Sequence, residues 1–410
     1  MSSSMYRTIQ PDMFPDTVEI SFGGGESRRT LHYEKVTWDI DGARLGLRYG
    51  ENPDQPASMY KLVNGNLEIG GVTSVEPGRY LMSDAELLQS GKHPGKINIT
   101  DVDSALGIMR YLPEKPCAVV VKHNNPAGVC VDDSIAAAYR RAFMADRIAA
   151  FGGVVVCNRS IDRETAVQIA GGYTEVVAAP DYDDGCVEIL KHRKNLRIMR
   201  IPRLDRISEF APARAIEYKS LVDGGLILQW SFVPKQHIED FVAAEAKRDG
   251  QLISVRREPT AAEKSDMMFG WLVESGVTSN SVLYVKDGVT IGIGSGEPDR
   301  VGVAEIARIK ARRNASERLC FEEFGVSILE ASDEQRGVIE KGVDEHPPLR
   351  GCVMISDAFF PRRDGVEIGL RGGVAAVLQP GGAIRDAEVI DACNEYDAAM
   401  LFTNQRSFRH

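Results

Sequence analysis

Positive charge is in short supply in these 410 residues: 49 lysines and arginines face 59 aspartates and glutamates, a formal net charge of −10. A nucleic-acid coat or an anionic membrane surface as main partner would require clustered positive charge, so neither is expected. Long hydrophobic runs are missing too. The longest near-apolar stretch, 149–157, falls far short of the roughly 18 residues that a membrane span takes. The opening residues, Met1 to Arg7, have no charged head followed by an apolar block, which argues against a secretory signal. Cysteine is sparse and unpatterned: seven residues, at 117, 130, 157, 186, 320, 352 and 393, with no Cys-x-x-Cys. They are expected to be reduced, partly buried thiols of a cytoplasmic protein. Also absent are a Walker-type Gly-Lys-Ser/Thr loop, a Gly-x-Ser-x-Gly elbow and His-Glu-x-x-His. Gly292, Gly294 and Gly296 miss the dinucleotide fingerprint spacing and follow a hairpin pattern, so NAD, ATP and zinc have no positive support.

What is present is ordinary globular material. Apolar residues make up 43% and charged residues 26%, enough for a sizeable core, and the length suggests two domains. Residues 1–45, with Pro11, Pro15 and Gly23-Gly24-Gly25, read as a lead segment with a strand near 31–36. Beyond it, buried strands at 117–121 and 153–157 alternate with a helix at 134–147, the rhythm of an α/β fold with strands covered on both faces. The run Gly171-Gly172 to Pro180, then a helix near 187–190 and a strand at 196–199, is echoed by Gly372-Gly373 to Pro380, a helix at 387–395 and a strand at 399–402. Two similar lobes, 46–215 and 216–410, follow from that echo, with chance similarity of short strings as the alternative. Strands at 281–285 and 289–293 flank Lys286-Asp287-Gly288 as a hairpin. Asp299 is a natural N-cap for a helix through Arg313, which puts Arg300 in the first turn against the helix dipole. There it either reaches solvent or meets an anion shared with backbone N–H groups.

The chemistry-bearing strings lie at turns. Lys122-His123-Asn124-Asn125-Pro126-Ala127-Gly128 follows a buried strand, and Pro126 with Gly128 suggests a loop exposing two ionisable groups. A neighbouring ammonium favours the neutral imidazole that a general base needs, while Lys122 could stabilise an oxyanion. A merely solvated loop is the other reading. The clusters 48–55 and 356–364 join aromatic rings to charges at Pro-marked turns, which suits a planar ring bearing a phosphate as well as it suits ordinary solvated turns. The terminal Thr403 to His410 ends on aromatic and basic residues, and chain ends fray unless docked.

Together these strings, with Ala150-Phe-Gly-Gly153, Glu175-Val-Val-Ala-Ala-Pro180, Lys194-Asn-Leu-Arg197, Ser279-Asn-Ser-Val282, Gly292-Ile-Gly-Ser-Gly296 and Gln379-Pro-Gly-Gly382, carry a family likeness over about residues 45–410. The chain resembles the AICAR transformylase part of the bifunctional purine-biosynthesis enzyme that also carries IMP cyclohydrolase. The resemblance implies two cytidine-deaminase-like α/β lobes without the deaminase zinc, and a homodimer with active sites where subunits meet. The implied reaction moves a formyl group from 10-formyltetrahydrofolate to the 5-amino group of AICAR, giving FAICAR and tetrahydrofolate in IMP biosynthesis.

Carried over by position, Lys122 and His123 match the family's catalytic pair. Arg48, Tyr49, Lys194 and Arg406 match nucleotide-binding positions, chiefly around the phosphate, and Glu175, Asn280, Arg300 and Phe359 match contacts to the base and its carboxamide. His410 matches the terminal histidine. Phe151, Val301, Pro361 and Asp364 match the folate side, and a potassium ion near Asp357 is implied. Departures exist: Asp54 replaces an imidazole, Val277-Thr278 stands in place of Thr-Gln, Glu297 and Asp299 replace polar neutral residues, and Arg362 replaces an aromatic. The cyclohydrolase domain has no counterpart, so ring closure to IMP is expected to need another protein. A formyltransferase of altered donor or acceptor, and a regulator that binds AICAR without turnover, stand as alternatives.

Overall fold

A computed structural model of the chain describes residues 9–65, 67–69, 71–73 and 75–410; the expectation about a secretory signal at the start falls outside them. The chain packs as two units, residues 1–113 with 153–233 and residues 114–152 with 234–410. Division by packing is thus not division by chain order, because the segment carrying Lys122 and His123 packs with the later residues.

In the first unit, Val154–Cys157, Val176–Ala179 and Arg197–Arg200 pair in parallel, and Glu86–Gln89 joins the last of them antiparallel. Val154 to Cys157 and Val176 to Ala179 are buried at every residue, as β-branched strands covered on both sides must be. Asp162 caps the intervening helix Arg163–Gly171 by accepting from Thr165 N at 2.8 Å. The lead segment is more structured than its Gly and Pro content suggested. Thr17–Phe22 pairs with Arg29–Lys35, which also pairs with Tyr60–Asn64, so alternation of half-buried residues along short strands sufficed where no apolar run was visible.

In the second unit, Val353–Ser356, Ala376–Gln379 and Ala399–Phe402 run parallel, and Val282–Lys286 and Val289–Gly294 extend the sheet antiparallel towards Asn125–Val131 and Cys117–Lys122. Strand parity separates the faces. Val282, Tyr284, Met354, Val377 and Met400 pack with Val303, Ala304 and Ala307 of one helix and with Val389 and Ile390 of another. Residues of opposite parity, Val285 and Ile355, meet the helix Ala261–Glu274, where a Cβ on Gly270 would come within 2.5 Å of Ile355. Each unit therefore contains a strand-helix-strand-helix-strand run, at 154–200 and 353–402.

Local chemistry explains the boundaries. Asp299 caps the helix Arg300–Phe324 through Gly302 N at 2.6 Å, and Gly325 ends it at φ 71°. This helix runs beyond the expected Arg313 because Ala311, Asn314, Ala315, Glu317 and Cys320 continue its buried stripe. Gly292 and Gly294 serve packing: an added Cβ would lie 2.4 and 2.3 Å from the carbonyls of Ala307 and Val303. The expected helix 134–147 breaks at Asp146, giving Ile135–Ala145 and a short turn Arg147–Ala150. All seven cysteines are buried thiols. No helix among the described residues is long and apolar enough to cross a membrane.

Candidate functional site

The sequence-predicted residues fall into two groups, one in each unit. In the second unit Lys122 ends the strand Cys117–Lys122, and Asn125 opposite it begins the returning strand. The connection is His123-Asn124 alone, with φ 56° and 59°. The expected loop at 122–128 is therefore a tight hairpin. Pro126 enters the strand because the register shifts between Pro126 and Gly128, a bulge that spares the donor proline lacks. Gly128 lets the helix Ile135–Ala145 close on this hairpin, since a Cβ there would meet the Ala142 carbonyl at 1.9 Å.

Left-handed backbone costs a non-glycine residue roughly 1–2 kcal/mol, so two in succession require support from their surroundings. Support comes from the loop 276–281 and the tail. Asn125 Oδ1 accepts from Thr278 N at 2.9 Å, and Arg409 donates to the carbonyls of Asn124 at 3.2 Å and of Gly276. Arg409 in turn is held by Ser279 N donating to its carbonyl at 2.9 Å. His123 is exposed, and its imidazole has no hydrogen-bond partner among the described residues. Lys122 differs: its ammonium donates to the Phe151 carbonyl at 2.8 Å. Asp146 caps the turn leading to Phe151 through Ala149 N at 3.0 Å, itself 3.3 Å from the Arg313 guanidinium. The Phe151 ring is 61% exposed.

Arg300 meets an anion, and the anion is the protein's own. Its guanidinium donates to Asp357, to the Ser281 carbonyl and Ser356 hydroxyl at 3.0 Å each, and to Asn280 Oδ1 at 2.6 Å. Asp357, fully buried, also accepts from the Ser279 hydroxyl and from Ser281 N at 3.2 Å. Asn280 spends its amide nitrogen on the Pro298 carbonyl at 2.9 Å. Glu274 lies behind, accepting from the Ser281 hydroxyl; burial pushes its carboxyl well above the carboxylate range, and Asp357 adds to the push.

Phe360 is wholly buried and holds its neighbours: Phe359 is 39% exposed, Pro361 is exposed, and Asp364 accepts from Gly365 N at 2.9 Å in the first turn of Arg363–Arg371. Val301 is half-buried one residue after Arg300. The tail is docked, with Ser407 N donating to the Asp357 carbonyl at 2.9 Å, the Arg406 guanidinium 4.3 Å from the Phe408 ring centroid, and the rings of Phe408 and His410 5.8 Å apart.

The first unit gathers cations around one carboxylate. Arg48 is buried and donates to the Tyr49 hydroxyl at 2.7 Å, with its guanidinium 4.4 Å from the Tyr49 ring centroid. Arg48 N bonds to the Pro94 carbonyl and Lys96 N to the Tyr49 carbonyl, both at 2.9 Å, which sets the pair at the start of the helix Lys96–Met109. Arg197, 2% exposed, reaches Glu175 Oε2 only at 3.4 Å, and its Nε has no partner. Asn98 also donates to Glu175 Oε2, at 3.2 Å. Burial pushes the Arg197 guanidinium down to about 10; Glu175 pulls it back and Arg48 adds to the fall. His93 is held below the ordinary imidazole range by burial, against its 2.5 Å bond to the Gly46 carbonyl and with the help of Arg48 and Arg197. Lys194 is exposed in a turn whose next residue, Asn195, accepts from Lys92 N at 3.4 Å.

Arg197, His93, Asn98 and Arg409 were missed as site residues from the sequence. Arg197 was legible as a charge inside the otherwise apolar expected strand 196–199, and His93 as a histidine inside Gly91-Lys-His-Pro-Gly-Lys96. Among the described residues, no three or more His, Cys, Asp or Glu side chains group as metal ligands.

A model of the AICARFT/IMPCHase bienzyme family matches residues 21–310. The chain belongs to this family. It is 38% identical over 364 residues to the bifunctional purine biosynthesis protein PurH of Aquifex aeolicus, covering 89% of this chain and 59% of that protein. The protein of the same name from Magnetococcus marinus is 35% identical over 404 residues, 98% of this chain and 62% of the relative, and that from Agrobacterium fabrum 38% over 383 residues, 93% and 61%. The chain thus spans about three fifths of the length of the AICARFT/IMPCHase relatives it matches.

Proposed function

We propose that this chain transfers a formyl group from 10-formyltetrahydrofolate to the 5-amino group of AICAR, releasing FAICAR and tetrahydrofolate. The observation that carries this reading is the hairpin turn: an unpartnered imidazole at position 123 beside an ammonium anchored at position 122. The amine of AICAR is a poor nucleophile because its lone pair is delocalised into the imidazole and carboxamide. As its nitrogen bonds to the formyl carbon, His123 takes the amine proton, and Lys122 faces the oxyanion of the tetrahedral intermediate. Collapse breaks the bond to the folate nitrogen, which leaves with a proton supplied by Lys122. The excess positive charge at Arg48, Arg197 and Lys194 supports a site for the AICAR phosphate, with Glu175 beside it for the carboxamide. The exposed Phe151 ring and the Asp364 carboxylate support a pterin contact alongside Val301 and Pro361, and Phe359, Arg406 and His410 serve the nucleotide, with Asn280 and Arg300 acting through the loop they hold.

A potassium ion near Asp357 belongs to the same reading. Glu274 Oε2 is buried without a hydrogen-bond partner, and Glu274 and Asp357 are close enough to repel, so an oxygen-liganded monovalent cation held by these two would answer both. It would supply charge balance; no step passes through it. The repeated βαβαβ run, at 154–200 and 353–402, supports two deaminase-like lobes, with the segment 114–152 packed in the second rather than in the first as the bounds 46–215 and 216–410 would have it. An exposed apolar ribbon, Ile216–Ser220 with Leu226–Trp230, supports a homodimer: Leu226, Ile227 and Leu228 are 56%, 50% and 45% exposed. Buried thiols accord with a cytoplasmic setting. Ring closure of FAICAR to IMP is assigned to none of these residues and falls to an IMP cyclohydrolase. Purified protein given AICAR and 10-formyltetrahydrofolate is expected to release tetrahydrofolate; no release with any formyl donor would overturn the assignment.

A further inference from the structure

A cavity of about 470 Å³ opens in the second unit between the helices Ile135–Ala145 and Arg300–Phe324, the Asp287-Gly288 turn and the segment 346–350. It is not the site built around His123. The strand Asn125–Val131 begins at that turn, whereas Cys130, at its other end, pairs with Val289 on the cavity wall. Five residues of extended chain separate the two places by roughly 17 Å.

The cavity's charge is unbalanced. Five cations line it, Arg140, Arg141, Lys286, Arg318 and Arg350, against only Asp287 and Glu322. Arg141 is spent on Asp132 at 2.6 Å and on the Asp287 carbonyl at 2.7 Å, Lys286 on the Arg350 carbonyl at 2.9 Å, and Arg140 stands 3.8 Å from Glu322. Among the described residues, the guanidiniums of Arg318 and Arg350 have neither an ion pair nor a hydrogen bond.

A second observation is independent of that charge. Asn314, 4% exposed, lines the cavity, and its Oδ1 has no hydrogen-bond partner. A buried acceptor left unmade is costly and calls for an N–H or O–H. Met144, Ile291 and Pro347 supply apolar surface to the same lining.

We propose that this cavity binds a small phosphate ester with a flat, hydrogen-bond-donating head, the chemistry of a nucleoside monophosphate. Arg318 and Arg350 take the phosphate as free guanidinium forks suited to its oxygens. Asn314 takes the base edge, an amide being the natural partner for an adenine-type donor and acceptor pair. The apolar wall covers the ring, and the volume lies within the range of small-molecule sites.

Calorimetry of the full chain with AMP tests this without any formyl donor. Saturable binding is expected, weakened at least tenfold by Arg318→Glu and by the surface substitution Arg350→Glu, each with an unchanged melting temperature. Binding is expected to persist in Arg197→Gln, which removes the phosphate contact proposed for AICAR, so failure here and failure of the formyl-transfer reading are separable. Absence of saturable AMP binding, binding unaffected by both charge reversals, or inorganic phosphate binding as tightly as AMP would each overturn the proposal.

Discussion

Arg300 in the second unit and Arg197 in the first are both buried arginines, and their surroundings treat them in opposite ways. Arg300 is matched on every side by Asp357, Asn280, Ser281 and Ser356. Arg197 has one carboxylate at 3.4 Å, an unpartnered Nε and a second guanidinium, Arg48, close enough to push its affinity for a proton down. A matched buried ion pair holds structure, because removing either member leaves the other unpaired in low dielectric. An undermatched one is left wanting an anion. By this comparison Arg300 fixes the loop on which the His123 turn rests, and Arg197 is the undermatched cation at which the proposed function puts the phosphate.

The largest expected effect lies at the turn itself. His123→Ala should lower turnover by about 10² to 10⁴ with AICAR affinity little changed, read as kcat against KM. Next comes Arg300→Met, expected to cost about 3–5 kcal/mol in denaturant unfolding because Asp357 is stranded. An Arg300→Met protein of unchanged stability would erase the contrast between the arginines.

The smallest effect concerns pH. His93 has a folded-state proton affinity held down by burial, so the unfolded chain binds the proton more readily. Stability should therefore fall as pH drops below about 6.5 and level off below the folded value, where both states carry the proton. Thermal melts of His93→Gln should show a shallower loss between pH 7 and pH 5 than the parent. Equal slopes would mean that His93 feels neither the burial nor the two arginines.

Periodicity carried the α/β rhythm, the echo of 171–199 by 372–402 and the hairpin at 282–294, since these rest on alternation and turn chemistry that neighbouring residues settle among themselves. The turn at His123 was misread as a loop because Pro126 and Gly128 are breakers in isolation; a bulge and a close helix make them acceptable in a strand, and both are tertiary facts. Arg300 was correctly placed at a capped helix start, yet its partner Asp357 lies 57 residues away and no local rule pairs them. As a site residue Arg197, at the end of Lys194-Asn-Leu-Arg197, is illegible for the same reason: its importance lies in what fails to neutralise it.

The most direct test is the AICAR affinity of Arg197→Gln measured by titration calorimetry beside the parent protein. The account predicts a dissociation constant raised roughly ten- to hundredfold, the worth of a charged hydrogen bond, with turnover at saturating AICAR retained. An unchanged dissociation constant would contradict it, because the uncompensated charge of the first unit would then have no phosphate to meet.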